Sequence, residues 1–294
     1  MQAILIIAHR DMEQIIELTE ILRKKFEIYI HFDTKMNVSS EEKANLQQMG
    51  AHVYQVVNVN WGGWGIAEAA RILMQEAMKN PEITYIHVIS GQCYPAENVE
   101  KIYDFYENNT NIYMTASPVE GAKKSGEPLI WWQKYYFNYD KINRRTTFGK
   151  VYHRLNIAVQ TVLHVDKIKK LGIDLELFEG ANWMDLPRDA VEYLLQYFDT
   201  HENVQKLFMT GFCPDEFWVQ TILCNSEYKK RIVNDHHRFM KWEHRYGSYP
   251  AILDESDFDE ICHGNYHFLR KVDLEHSQLL RKKLNDYYGN TICK

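Results

Sequence analysis

Residues 3–32, AILIIAHRDMEQIIELTEILRKKFEIYIHF, decide the fold. Ala3-Ile4-Leu5-Ile6-Ile7-Ala8 is an unbroken apolar run closed by His9-Arg10-Asp11. It is too short for a helix of its own and reads as a buried strand. Behind it, Ile15, Ile16, Leu18, Thr19 and Leu22 recur at helical spacing within 11–24, and EIYIHF at 27–32 is a second strand. The alternation then continues. A polar helix near 40–49 precedes a short strand at 52–57, and the Gly-rich turn Trp61-Gly62-Gly63-Trp64-Gly65 opens a helix with Ala67, Ala70, Leu73, Met74 and Ala77 on one face. Strand 83–89 ends at Ser90-Gly91. Strands alternating with helices of this length imply parallel βαβ units, an α/β fold and a doubly wound sheet.

Ligands of such sheets bind beyond the carboxyl ends of the strands. Those ends are Ala8-His9-Arg10, His31-Phe32-Asp33 and Ser90-Gly91-Gln92, so one crevice should collect His9, Asp33 and Gln92. From about 110 the pattern is mixed: a strand at 111–116, an aromatic stretch at 131–139, a basic segment at 141–154, and helices near 187–198 and 215–224. No linker, repeat or low-complexity tract divides the chain. The expectation is a single domain over 1–294, with a nucleotide-type half at 1–110 and a less regular half at 111–294.

Composition narrows the function classes. A net charge of -6 argues against nucleic acid as partner, because a phosphate backbone demands a net basic face. The five cysteines, Cys93, Cys213, Cys224, Cys262 and Cys293, contain no CxxC pair, the profile of a reducing compartment without a zinc site. The apolar run at 3–8 is shorter than a signal-peptide core or a membrane span. A cytoplasmic protein is expected.

The stretch Cys213-Pro214-Asp215-Glu216-Phe217-Trp218 carries the chemistry. Pro214 suits the first turn of a helix, and two carboxylates then sit where backbone N–H groups converge. Acids there are also favourable in any helix. Around this stretch the chain resembles a known family. IYIHFDTK at 28–35, VNWGGWGIAEAA at 59–70, HVISGQCYP at 87–95, GANWMDLPRDAVEYLL at 180–195, CPDEFWVQTILCNS at 213–226 and FLRKVD at 268–273 follow the order and spacing of the Core-2/I-branching glycosyltransferases, which include protein O-xylosyltransferases.

The resemblance implies a GT-A-type, Rossmann-like domain whose first half binds a UDP-sugar and whose second half holds the acceptor and the catalytic group. It implies inversion at the anomeric carbon and no divalent metal or other cofactor. The residues agree on the metal: a metal-dependent GT-A enzyme places Asp-x-Asp after the strand at 83–89, where this chain has Ser90-Gly91-Gln92-Cys93. Asp257-Phe258-Asp259 comes too late and reads as a helix start. Glu216 matches the family's general base, Lys271 the residue it sets on the diphosphate, and Arg270 its basic neighbour. His9, Asp33 and Gly91 match the nucleotide pocket, with Asp33 assigned to uridine or ribose. Arg245 is the nearest candidate for a second phosphate-binding Arg. Where the family commonly has Asp in its SGQDYP block, this chain has Cys93.

Sugar acceptors are held by aromatic faces and polar side chains, and the candidates are Tyr94, Trp132, Lys134, Trp183 and Trp242. Trp242 resembles an acceptor-site tryptophan of the family. The expected reaction moves a sugar, GlcNAc first and xylose second, from UDP to a hydroxyl of a glycan or lipid-linked glycan. A glycan-binding protein that kept the fold without turnover is the rival. Without a recognisable anchor the chain reads as a bacterial enzyme of surface polysaccharide synthesis. The basic segment 141–154 is the candidate for peripheral contact with a membrane.

Overall fold

The computed structural model describes residues 1–119 and 130–290. Its strands are β1 (Gln2–Ala8), β2 (Glu27–Phe32), β3 (His52–Tyr54), β4 (Tyr85–Ser90), β5 (Cys93–Pro95), β6 (Ile112–Tyr113), β7 (Ser117–Pro118), β8 (Phe178–Glu179), β9 (Met184–Pro187), β10 (Ile232–Val233), β11 (Arg238–Phe239) and β12 (Phe268–Arg270). The helices that matter below are α1 (Met12–Leu22), α2 (Ser40–Gln48), α3 (Gly65–Met78), α4 (Val99–Tyr106), α5 (Thr147–Val162), α6 (Arg188–Thr200), α7 (Trp218–Cys224) and α8 (Gln278–Tyr288).

The main sheet has seven strands in the order β10-β6-β9-β4-β1-β2-β3. β1 pairs in parallel with β2 on one side and β4 on the other, and β3 continues parallel from β2. Only β9 runs against the rest, between β4 and β6. The result is the expected mixed α/β layer with a mostly parallel central sheet.

The period of two along β1 explains its uninterrupted apolarity. Ala3 and Leu5 face one core with Leu73 and Met74 of α3 and Leu194 of α6. Ile4 and Ile6 face the opposite core with Ile15 and Leu18 of α1 and Leu280 and Leu284 of α8. Both faces of the strand are covered by helices, so neither can carry a polar residue cheaply.

Three elements differ from the sequence expectation, each for a local reason. The strand expected over 52–57 stops at Tyr54 because the Val56 and Val57 N–H groups donate to the His31 ring at 3.3 and 3.2 Å, not to a ladder. The strand expected over 111–116 shrinks to β6, since Ala116 N–H turns to the Asn234 side chain at 2.7 Å. The helix expected from 215 begins at Trp218, because Pro214–Glu216 forms a separate 3-10 turn.

A second sheet, β11-β12-β5, brings the C-terminal part of the chain to the end of β4. β12 is antiparallel to β5, with Leu269 opposite Tyr94 and Arg270 opposite Cys93. A buried polar cluster ties the two sheets. Asp185 of β9 binds both terminal guanidinium nitrogens of Arg238 in β11, accepts from Tyr106 at 2.7 Å, and contacts the His87 ring at 2.9 Å. Burial opposes ionisation of Asp185, but the Arg238 charge and the His87 bond outweigh it and hold the carboxyl far below its usual range. Removing one member of a pair this enclosed costs on the order of 3–5 kcal/mol.

Candidate functional site

The candidate site lies where the carboxyl ends of β1, β2 and β4 meet the amino end of β9 and the last residue of β12. His9 follows β1 directly and is open to solvent. Partial enclosure and the charges of Arg10 and Arg270 lower its pKa, against the opposing fields of Asp33 and Asp11. Asp33 follows β2 and is buried. Its Oδ1 accepts from Lys35 N–H at 3.0 Å and from Val59 N–H at 3.3 Å, which pins the turn after β2 to the segment before α3.

Glu216 owes its position to the loop that precedes α7. From Gly211 to Cys224 every residue is buried except Glu216. Cys213 takes a left-handed conformation (φ 48°) that bends the chain ahead of the 3-10 turn. The bend is held from two sides: Cys213 N–H donates to Gly62 O at 3.0 Å, and Gly180 N–H donates to Glu216 O at 2.8 Å. Gly62 itself is at φ +84°, and a Cβ there would meet the Phe212 ring at 2.5 Å. Only glycine lets the Trp61–Gly65 turn lie this close to the 211–216 loop.

The two adjacent carboxylates therefore diverge. Asp215 points inward, where Asn182 Nδ2 donates to it at 3.1 Å. Burial pushes its pKa up to about 6, only partly offset by its backbone and Asn182 hydrogen bonds. Glu216 points out. Glu216 is exposed at the surface of this otherwise buried loop, whereas its neighbour Asp215 is enclosed.

Next to Asn182, Trp183 carries the Arg270 guanidinium on its ring at 4.5 Å. Arg270 also donates to Ser90 Oγ and bonds the Cys93 thiol. Burial lowers its pKa, and among the described residues no carboxylate forms an ion pair with it. Cys93 thus stands at the register position facing Arg270 and supplies no carboxylate there. Lys271 follows. Its Nζ donates to Ser248 Oγ at 3.1 Å and to Tyr249 O at 3.4 Å. Burial together with the Arg270 and Arg10 charges lowers its pKa to about 8. Two cations at the strand ends and one exposed carboxylate across the 180–183 segment make a site suited to an anionic leaving group and a hydroxyl nucleophile.

A family model for Core-2/I-branching enzymes matches residues 3–262. The chain belongs to that family. It is 27% identical over 112 residues to the beta-glucuronosyltransferase GlcAT14B of Arabidopsis thaliana, a match covering 37% of the chain and 26% of the relative. It is 19% identical over 227 residues to the xylosyltransferase sqv-6 of Caenorhabditis briggsae, covering 77% of the chain and 26% of the relative. The chain thus spans about a quarter of the length of these relatives. Among solved structures, the bifunctional glycosyltransferase WbbM in its apo form aligns with 99% of the chain and 50% of its own length, at 9% identity and a TM-score of 0.41.

Several residues of the chain lie elsewhere than the sequence suggests. Tyr94 is fully buried, and its hydroxyl bonds Glu17 at 2.6 Å and Asn285 at 2.7 Å, so it cannot touch an acceptor. Trp132 is a core ring packed edge-on to Phe217. Lys134 donates to Val165 O at 2.5 Å beyond the end of α5. Trp183 gives its face to Arg270 and is no open platform. Gly91 has both backbone groups engaged, N–H to Ile7 O at 3.0 Å and O to Gln14 at 2.5 Å, so it serves close packing against α1. Arg245 is bound to Asp257 at 2.6 Å and Glu243 at 2.6 Å, and Lys241 holds Asp257 from another side at 2.7 Å. That network accounts for Arg245 and for Asp257, the first acid of the Asp-x-Asp, as loop structure.

Trp242 is the acceptor candidate that the structure leaves open. It is 65% exposed and leans on Tyr249 at 5.7 Å between ring centroids, next to the carbonyl that Lys271 bonds. Four cysteines are free thiols, and Cys293 lies outside the described residues. Sequence reading passed over Asp140, whose carboxylate accepts from Trp64 N–H at 3.1 Å and Gly65 N–H at 3.0 Å and so caps α3. A cap so distant in sequence has no local signature. Asn182 was visible inside GANWMD, but only the inward turn of Asp215 shows what it does.

Proposed function

We propose that this chain is an inverting glycosyltransferase that moves a sugar from a UDP-sugar to a hydroxyl of a glycan or lipid-linked glycan, with Glu216 as general base. The observation that carries the reading is Glu216 itself, the lone exposed residue of a buried loop, set across the 180–183 segment from Arg270 and Lys271. Glu216 accepts the acceptor hydroxyl proton as that oxygen attacks C1, and the C1–O bond to UDP breaks on the opposite face. Lys271, with Arg270 beside it, takes the charge that develops on the departing diphosphate, the work a divalent metal does in other enzymes. Asp33 and His9 border the uridine end of the crevice, and Trp242 offers a ring to the acceptor.

The family resemblance favours GlcNAc as the transferred sugar. A second reading has an observation of its own: Arg270, which pairs with no carboxylate among the described residues, suits a uronic acid carboxylate, and a glucuronosyltransferase is among the relatives. Thermal shift and UDP release with UDP-GlcNAc, UDP-xylose and UDP-glucuronic acid, all in EDTA, test the proposal. Stabilisation by one donor, with turnover in EDTA, supports it. A strict need for manganese or magnesium overturns the metal-free mechanism.

A further inference from the structure

Helix α5 carries a face that nothing among the described residues covers. Gly149, His153 and Gln160 point into the protein. Phe148, Val151, Leu155, Val159 and Val162 are each more than half exposed, and so is Leu163 just beyond the helix. Their spacing by three and four places them in one stripe along the helix. A continuous apolar stripe in water marks a surface that meets something else.

The flank of the stripe is uniformly basic. Lys141, Arg144, Arg145, Lys150 and Arg154 occur without one Asp or Glu from 141 to 165, in a chain of net charge -6. Four of these cations, with Trp61, line a cleft of about 550 Å³ beside the stripe. Arg144 lies over the Trp61 and Phe212 rings at 5.0 and 4.8 Å, held by aromatic faces. A second copy of the chain meeting this face about a twofold axis would set the cations against themselves. A bilayer interface with anionic headgroups satisfies both parts: acyl chains take the apolar stripe and phosphates take the cations. No helix among the described residues is long and apolar enough to cross a membrane, so the contact is in-plane.

We infer that α5 docks the protein in-plane on an anionic phospholipid membrane, with the cleft between Trp61 and Arg154 receiving headgroup phosphate. Arg144 of this cleft lies over the ring of Phe212, four residues before Glu216, so docking brings the loop bearing Glu216 towards the bilayer. The inference does not depend on which reaction the crevice performs.

Co-sedimentation with vesicles of phosphatidylcholine alone, and of phosphatidylcholine with about one third phosphatidylglycerol, tests it at low and at 0.5 M (about tenfold higher) salt. The expected result is binding to the anionic vesicles only, weakened by salt. The pair Lys150→Gln and Arg154→Gln should weaken it roughly twenty-fivefold, about fivefold per cation. The pair Leu155→Glu and Val159→Glu should lose it altogether, while melting temperature and circular dichroism stay those of the parent because both positions are exposed. Equal binding to both vesicle types, or retention by either double variant, overturns the inference. So does a concentration-dependent dimer that the Leu155→Glu, Val159→Glu pair converts to monomer with vesicle binding unchanged.

Discussion

Replacing Asp215 by Asn separates the roles of the two adjacent carboxylates. The folded protein raises the Asp215 carboxyl from 3.8 to about 6. A group with a raised folded pKa adds stability that is fully present below the unfolded value and is lost as pH rises through the folded one. Between pH 4 and 6, on the order of two pKa units, the native state therefore loses about 3 kcal/mol relative to a neutral side chain, at about 1.4 kcal/mol per unit. Asn is neutral, nearly isosteric, and keeps Asn182 as a partner. Asp215→Asn should match the parent's melting temperature near pH 4 and exceed it at pH 7 by on the order of 5 °C. Transfer should survive. Thermal melts from pH 4 to pH 8, alongside initial rates with a fixed donor, make the measurement. A gap that does not change with pH would refute the buried-charge argument. Loss of transfer with donor affinity intact would move the proton acceptor from Glu216 to Asp215.

Lys271 should lose its proton as pH rises through about 8, so donor affinity should be full below that value and fall above it, and Lys271→Ala should show weak affinity with little pH dependence. A parent affinity that stays flat to pH 9.5, about one and a half units past that point, would exclude this role. Trp242→Ala should raise the acceptor KM by the equivalent of about 1–3 kcal/mol while leaving donor KM and melting temperature alone, since its ring is exposed; equal damage to both constants with a lower melting temperature would make it a packing residue. Arg245→Ala should cost about 1–3 kcal/mol of stability through the loss of its bonds to Asp257, with donor affinity unchanged. A fall in donor affinity at constant stability would return Arg245 to the phosphate site.

The sheet was legible because its strands are apolar on both faces and its helices keep one apolar side, a pattern carried by local sequence alone. The ends of those strands, where His9 and Asp33 sit, followed from topology. Side-chain direction was not legible in the same way. In sequence Tyr94 and Trp132 read as acceptor rings because aromatic residues serve cores and sugars equally well, and only burial separates the two uses. Arg245 looked like a phosphate ligand until Asp257 and Glu243, one of them twelve residues away, closed on it. The pairing of Arg270 with Cys93 needed the β5–β12 register, which links residues far apart in the chain. Glu216 stands out by resemblance alone, and its exposure within a buried loop, which supports the role proposed for it, is not readable from the sequence.

The central claim is tested most directly by Glu216→Gln under single-turnover conditions with saturating UDP-sugar and acceptor. The amide preserves shape and cannot take a proton. Transfer should fall by about a hundredfold or more while the Kd for UDP and the melting temperature remain those of the parent. Transfer within about threefold of the parent, at unchanged UDP affinity, would contradict the assignment of Glu216 as the base.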